Sequence, residues 1–191
     1  AITMLDFEKL EREIRERGMV YHLDNGVTIF GERVLGLGLT LGNIFLHAGS
    51  FDDADEDLGI MHFLEHMAFE SSSAFPDVYK RQLLGMQLGL DFNASTGHNT
   101  MSFPIRGSNP SSFLLRENFL EACRILLDAV YHPLHLPDQI EKQRRIIQAE
   151  RMEHEPVKGS LYEDSEKIRR MLYAANPLVF RPGRGTEDTV D

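Results

Sequence analysis

The sequence has little that could staple it together. Its single cysteine, Cys123, excludes an internal disulfide and any four-cysteine zinc site, and its apolar surroundings suggest an ordinary buried helical thiol. Long apolar runs are missing as well. None approaches the ~20 residues needed to span a bilayer, and the start from Ala1 to Gly18 is charged and helix-like, unlike a secretory signal. The expectation is a soluble chain without a membrane span. Because residue 1 is Ala rather than Met, a removed leader is compatible with the sequence, and the compartment stays open. Positive charge is also in deficit, with 20 Lys and Arg against 30 Asp and Glu and a formal charge of -10. This argues against a nucleic-acid surface and favours cationic partners or substrates, unless the acidic exterior serves only solubility. There is no internal repeat, and no low-complexity tract beyond Ser71-Ser72-Ser73.

What remains is a chain of 191 residues, 42% hydrophobic and 26% charged, enough for one sizeable core and by default one domain. Phe7, Leu10 and Ile14 recur at helical spacing between Asp6 and Arg17. Tyr21–Leu23 and Val27–Phe30 flank Asp24-Asn25-Gly26, where the Asn-Gly pair supplies the positive φ angles of a tight hairpin turn. Leu37 to Ala48 reads as a strand. After the acidic stretch Asp52 to Asp57, a helix is expected from Leu58 to Phe69, ended by the serine triplet, and a second from Pro76 to Leu88. Asp91–Ser95 and Thr100–Arg106 read as strands, the latter with Met101, Phe103 and Ile105 alternating onto one face. A core helix follows over Ser111–Tyr131, where Leu115, Phe119, Ala122, Leu126 and Ala129 keep the period, and further helices are expected from Pro137 to Glu155 and from Leu161 to Ala174. The tail from Asn176 to Asp191 has no period. This order argues for an α+β fold, a mostly antiparallel sheet with helices packed on one face.

Chemistry concentrates in His62-Phe63-Leu64-Glu65-His66. Residues four apart on a helix project from nearly the same side, so two imidazoles can grip one zinc ion, and Glu65 lies close enough to reach a water on the metal. Zinc lowers the pKa of its water toward about 7, and a neighbouring carboxylate can take the proton as that water attacks. A catalytic zinc needs a third protein ligand. Glu150 suits the role, because Gln143, Ile147 and Glu150 share one face of the expected Pro137–Glu155 helix and an anionic ligand offsets part of the metal's charge. Taken alone, the two histidines read equally well as structural residues. Glu150 with His154, or His132 with His135, could pair around a metal instead, but neither pair comes with a positioned base. His22, His47 and His98 stand alone.

The segments Gly49-Ser50-Phe51-Asp52, Leu58 through Phe69, Asp91-Phe92-Asn93-Ala94-Ser95-Thr96 and Gln143 to Glu150 occur in one order. Together they resemble the signature of the pitrilysin family, the inverted-motif zinc peptidases that include insulin-degrading enzyme and the mitochondrial processing peptidase. The resemblance runs from about Val20 to the end of the chain. It implies that His62, His66 and Glu150 bind one Zn2+, that Glu65 is the general base, and that Asn93 and Ala94 hold extended peptide backbone. It further implies a peptide or unfolded-polypeptide substrate, and a second homologous half or an oligomeric partner that closes the clamshell. An exposed strand edge suits such a substrate, which can add itself as a further strand; otherwise Asn93 reads as an ordinary turn-side residue.

Three departures stand out. The interval from His66 to Glu150 is longer than the family usually shows, which implies a loop insertion near Gly107 to Ser112. Gln143 stands where the family usually carries a supporting glutamate, and Gln brings hydrogen bonds without charge. The chain also stops soon after Gly185-Thr186, so residues 1–191 are expected to form one catalytic-type N-terminal peptidase domain, incomplete at its C-terminal end. A non-catalytic, peptidase-like partner subunit is the alternative.

Overall fold

The computed structural model describes residues 18–32, 39–107, 114–153, 167–168, 171–173, 175–180, 182–186 and 189. Its contacts divide the chain into two compact units, 1–38 and 39–191. The expected helix over Asp6–Arg17 lies outside the described residues, as does most of the one over Leu161–Ala174.

In the first unit, β1 (Gly18–His22) and β2 (Thr28–Glu32) form an antiparallel hairpin with Val20 opposite Phe30. The turn differs from the tight Asn-Gly type. Gly26 donates to the carbonyl of Leu23 and Leu23 donates to Val27, and only Gly26 takes a positive φ, of 88°. That is a three-residue loop with glycine at the left-handed position, so Asn25 is not required to adopt it.

The second unit holds β3 (Leu39–Thr40), β4 (Gly42–Leu46), α1 (Ile60–Met67), α2 (Val78–Leu88), β5 (Ser95–Thr96), β6 (Met101–Ile105), β7 (Leu114–Leu115), α3 (Arg116–Tyr131) and α4 (Pro137–Glu153). Single 3-10 turns cover Asp55–Asp57 and Pro177–Phe180. The expected strand from Leu37 splits, because β3 pairs with β7 while β4 joins a sheet of order β4-β6-β5. Leu114–Leu115 is therefore strand, and the helix expected from Ser111 begins at Arg116. Among the described residues, every strand pair is antiparallel.

Period-two burial along β6 anchors the core. Met101, Phe103 and Ile105 are buried, and Ala122, Ile125, Leu126 and Ala129 of α3 are buried with them. Ile105 belongs to a cluster with Leu90, Ala122, Ile125 and Leu126, while Met101 and Phe103 pack with Ala68 just after α1. The helices thus cover one face of the sheet, as the α+β pattern predicts.

The strand expected over Asp91–Ser95 shrinks to Ser95–Thr96, for a reason that lies on its partner strand. Ser95 stands opposite Ser102, and Leu90 opposite Gly107, in one continuous register that would put Asn93 opposite Pro104. Asp91 N–H donates to the Arg106 carbonyl, so alternate residues of β6, Pro104 included, turn their backbone groups toward this edge. Proline has no N–H to offer, and the ladder lapses there.

Candidate metal centre

Helix α1 is set by its neighbours more than by its own ends. Its N-cap, Gly59, has φ 92° and no side chain, and a Cβ there would stand 2.5 Å from the Gly185 nitrogen, so glycine answers both constraints. The capping oxygens come from Asp53, buried six residues earlier, which accepts from Gly59 N at 2.8 Å and Met61 N at 3.1 Å. Of the acidic stretch expected to complement the helix dipole, Asp53 is the member that caps it. Beyond the other end, Arg81 is buried and donates Nη1 to the carbonyls of Ala68 at 3.4 Å and Glu70 at 2.5 Å, and Nη2 to that of Phe69.

On this helix the rings of His62 and His66 stand edge to face, with centroids 4.7 Å apart. Across from them α4 presents Glu150, whose Oε2 lies 3.6 Å from His62 Nε2 and 3.6 Å from His66 Nε2. All three donor atoms fall within 4.8 Å of one another, and among the described residues no other cluster of three His, Cys, Asp or Glu donors does so. Donors about 2.0–2.1 Å from a tetrahedral zinc stand roughly 3.3 Å apart, so the observed separations fit such an ion. The protonation state fits as well. Burial first, then the charges of His66 and Arg184, push the His62 imidazole down to about 4, which leaves it neutral and able to ligate at pH 7. His62 Nδ1 is buried without a hydrogen-bond partner among the described residues.

Glu65, half-buried on α1, accepts a 2.5 Å hydrogen bond at Oε2 from Thr96 Oγ1 of β5. His66 Nδ1 lies 3.0 Å from Gln143 Oε1, and Gln143 is buried on α4. Asn93 and Ala94 immediately precede β5; Ala94 N–H is taken by the Asn93 side chain at 2.9 Å, and Ala94 packs toward Met101 and Phe103. Both stand in irregular backbone rather than in a strand.

Two neighbours of the site escape the sequence reading. Thr96 was visible only as part of a motif, although its strand packs against α1. Glu70 is four residues after His66, the spacing that signals a shared helix face, and is nearly fully buried. Of the rival ligand pairs, His154 lies outside the described residues, and His132 pairs with Asp128 at 3.5 Å. Among the single histidines, His22 meets Thr28 Oγ1 at 3.0 Å, and His98 bonds Ser50 and stacks on Phe51.

Comparison with known proteins adds a family to this geometry. The model of the insulinase family, peptidase family M16, matches residues 41–174. The chain is 26% identical over 174 residues to an uncharacterized zinc protease of Rickettsia felis, covering 86% of this chain and 40% of that protein. With the chloroplastic stromal processing peptidase of Pisum sativum it shares 30% identity over 146 residues, 76% of this chain and 11% of the relative. The first half of the periplasmic protease PqqL from Escherichia coli superposes with a TM-score of 0.75 at 22% identity, over 92% of this chain and 37% of that one. Pitrilysin gives 0.70 at 22% identity, over 91% of this chain and 18% of that one. This chain therefore spans less than half the length of each of these proteins. Its fold is that of their matching segment, and with the family model covering most of its residues, the chain belongs to the insulinase family of peptidases, M16.

Proposed function

We propose that this chain carries the zinc-binding part of a metalloendopeptidase, with His62, His66 and Glu150 as ligands to one Zn2+ and Glu65 as general base. The observation that carries the reading is the convergence of two imidazole nitrogens and one carboxylate oxygen from α1 and α4 at zinc-compatible spacing. A zinc ion held by His62, His66 and Glu150 would supply Lewis acidity, lowering the pKa of a water and polarising a peptide carbonyl. Glu65 accepts the proton of the attacking water at a carboxylate oxygen and returns it to the leaving amine. Thr96 engages one oxygen of Glu65, which leaves the other for the proton.

The substrate in this reading is a peptide or unfolded polypeptide in extended form. It adds along the outer edge of β5, with Asn93 and Ala94 at the approach to that edge. Gln143 orients His66 through Nδ1, the ring nitrogen that does not face Glu150. Residues 1–191 act as one N-terminal-type peptidase domain that works with a second homologous half or an oligomeric partner, an arrangement supported by the greater length of the relatives.

The test is zinc content together with peptide cleavage for the wild type and Glu65→Gln. Stoichiometric zinc in both, with cleavage lost only in the variant, is expected; retained zinc with unchanged cleavage would sink the mechanism. A zinc-free wild type that binds stably to another subunit would favour the non-catalytic partner reading, which the uncharged Gln143 supports.

A further inference from the structure

Glu70 is a carboxylate only 3% exposed, placed on the turn that follows α1. A buried carboxylate is costly unless it is paired and hydrogen-bonded, and Glu70 is both. Its Oε1 accepts from Lys142 Nζ at 2.5 Å and from the Nε2 of Gln143, two consecutive residues of α4. Its own backbone carbonyl is held by Arg81 at 2.5 Å. On its other side, Gln143 meets His66 Nδ1 through Oε1 at 3.0 Å. The four groups form a line from Lys142 through Glu70 and Gln143 to His66.

A glutamine amide is reversible: it can offer C=O to one neighbour and NH2 to the other, or the opposite. A carboxylate in an ion pair carries no hydrogen, so only the NH2 end of Gln143 can face Glu70. The C=O end must then face His66, which requires the hydrogen on Nδ1 and leaves the lone pair on Nε2, the atom 3.6 Å from Glu150. Were the amide reversed, its NH2 would demand a lone pair at Nδ1, and the hydrogen would sit on Nε2, where a metal ligand needs none.

We infer that Glu70 is a positioning residue for metal binding, orienting the Gln143 amide and thereby selecting the His66 tautomer that can ligate a metal. The inference rests on the zinc-site reading for its purpose, though not for its geometry. Gln143, uncharged where a glutamate would enforce the tautomer unaided, works here because the acceptor-only group lies one residue further along the line.

The experiment reads the His66 tautomer by nitrogen-15 NMR of the metal-free full chain, and zinc affinity by competition with a chromophoric chelator. The wild type is expected to carry the hydrogen on Nδ1. Glu70→Leu, which takes away the acceptor that fixes the Gln143 NH2, should give a mixture of tautomers and zinc binding about 10–100-fold weaker. The exchange Glu70→Gln with Gln143→Glu restores an acceptor-only group beside His66, and should return both the Nδ1–H tautomer and the lost affinity. Wild-type tautomer and affinity in Glu70→Leu overturn the proposal. An exchange variant no better than Glu70→Leu also overturns it, and because that variant keeps one carboxylate in the pair, it still decides the matter if the single substitution does not fold. Because the tautomer is read without metal, the expected tautomers in a chain that binds no zinc refute the zinc-site reading while leaving the orienting role of Glu70 intact.

Discussion

Thr96 Oγ1 donates to Glu65 Oε2 at 2.5 Å, joining the edge strand to the helix that carries the candidate ligands. A hydrogen bond to a charged group contributes ~1.5–3 kcal/mol, and about 1.4 kcal/mol is tenfold in rate. Thr96→Val should therefore lower kcat roughly tenfold or more while zinc content stays stoichiometric. Thr96→Ser, which keeps the hydroxyl, should recover most of the loss. Steady-state peptide cleavage with parallel metal analysis checks both.

Glu150 faces both histidines at 3.6 Å. Removing a direct ligand should cost more than the roughly 10–100-fold lost with an outer-shell partner, so Glu150→Ala is expected to purify with little zinc and weaken affinity beyond 100-fold. Glu65→Gln should keep its zinc. Equal zinc content in Glu150→Ala and wild type would remove Glu150 from the ligand set.

The His62 imidazole, held down to about 4 by burial first and by the charges of His66 and Arg184 next, sets a pH window. Its folded value lies below the unfolded value of about 6.5. Between these values the unfolded chain takes up a proton that the folded chain refuses. The stability this group contributes is therefore complete above pH 6.5 and is lost as pH falls toward 4. An NMR titration of the metal-free chain should show His62 titrating near 4, and Arg184→Ala should raise that midpoint.

Arg81 donates to three consecutive backbone carbonyls past the end of α1. Replacing it with Met leaves those buried acceptors without their cation, at ~1–3 kcal/mol for each unsatisfied group. Arg81→Met is expected to destabilise the chain by about 3 kcal/mol or more, visible as a lower urea midpoint. Asp53→Ala, which removes the cap at the other end, should lower stability by about 1 kcal/mol.

Much of this protein was legible without coordinates. The alternation of Met101, Phe103 and Ile105 specified a half-buried strand, and the four-residue step from His62 to His66 put two imidazoles on one side of a helix. Gln143 and Ile147 fell on the buried face of α4, as their spacing predicted. These are local properties: side-chain direction repeats every 2 residues in a strand and every 3.6 in a helix, whatever the rest of the chain does. The strand over Asp91–Ser95 misled because its fate depended on Pro104, a residue on the partner strand.

The sequence by itself determined which side chains could ligate a metal and which helix faces they occupy, because both follow from residue type and periodicity. Only the tertiary structure brought Glu150 within 3.6 Å of both histidines and seated Thr96 on Glu65. It also aimed Glu70 at Gln143, so that an uncharged amide acquires a direction. Such pairings join elements far apart in the chain, and the packing of α1 against α4 and β5 decides them.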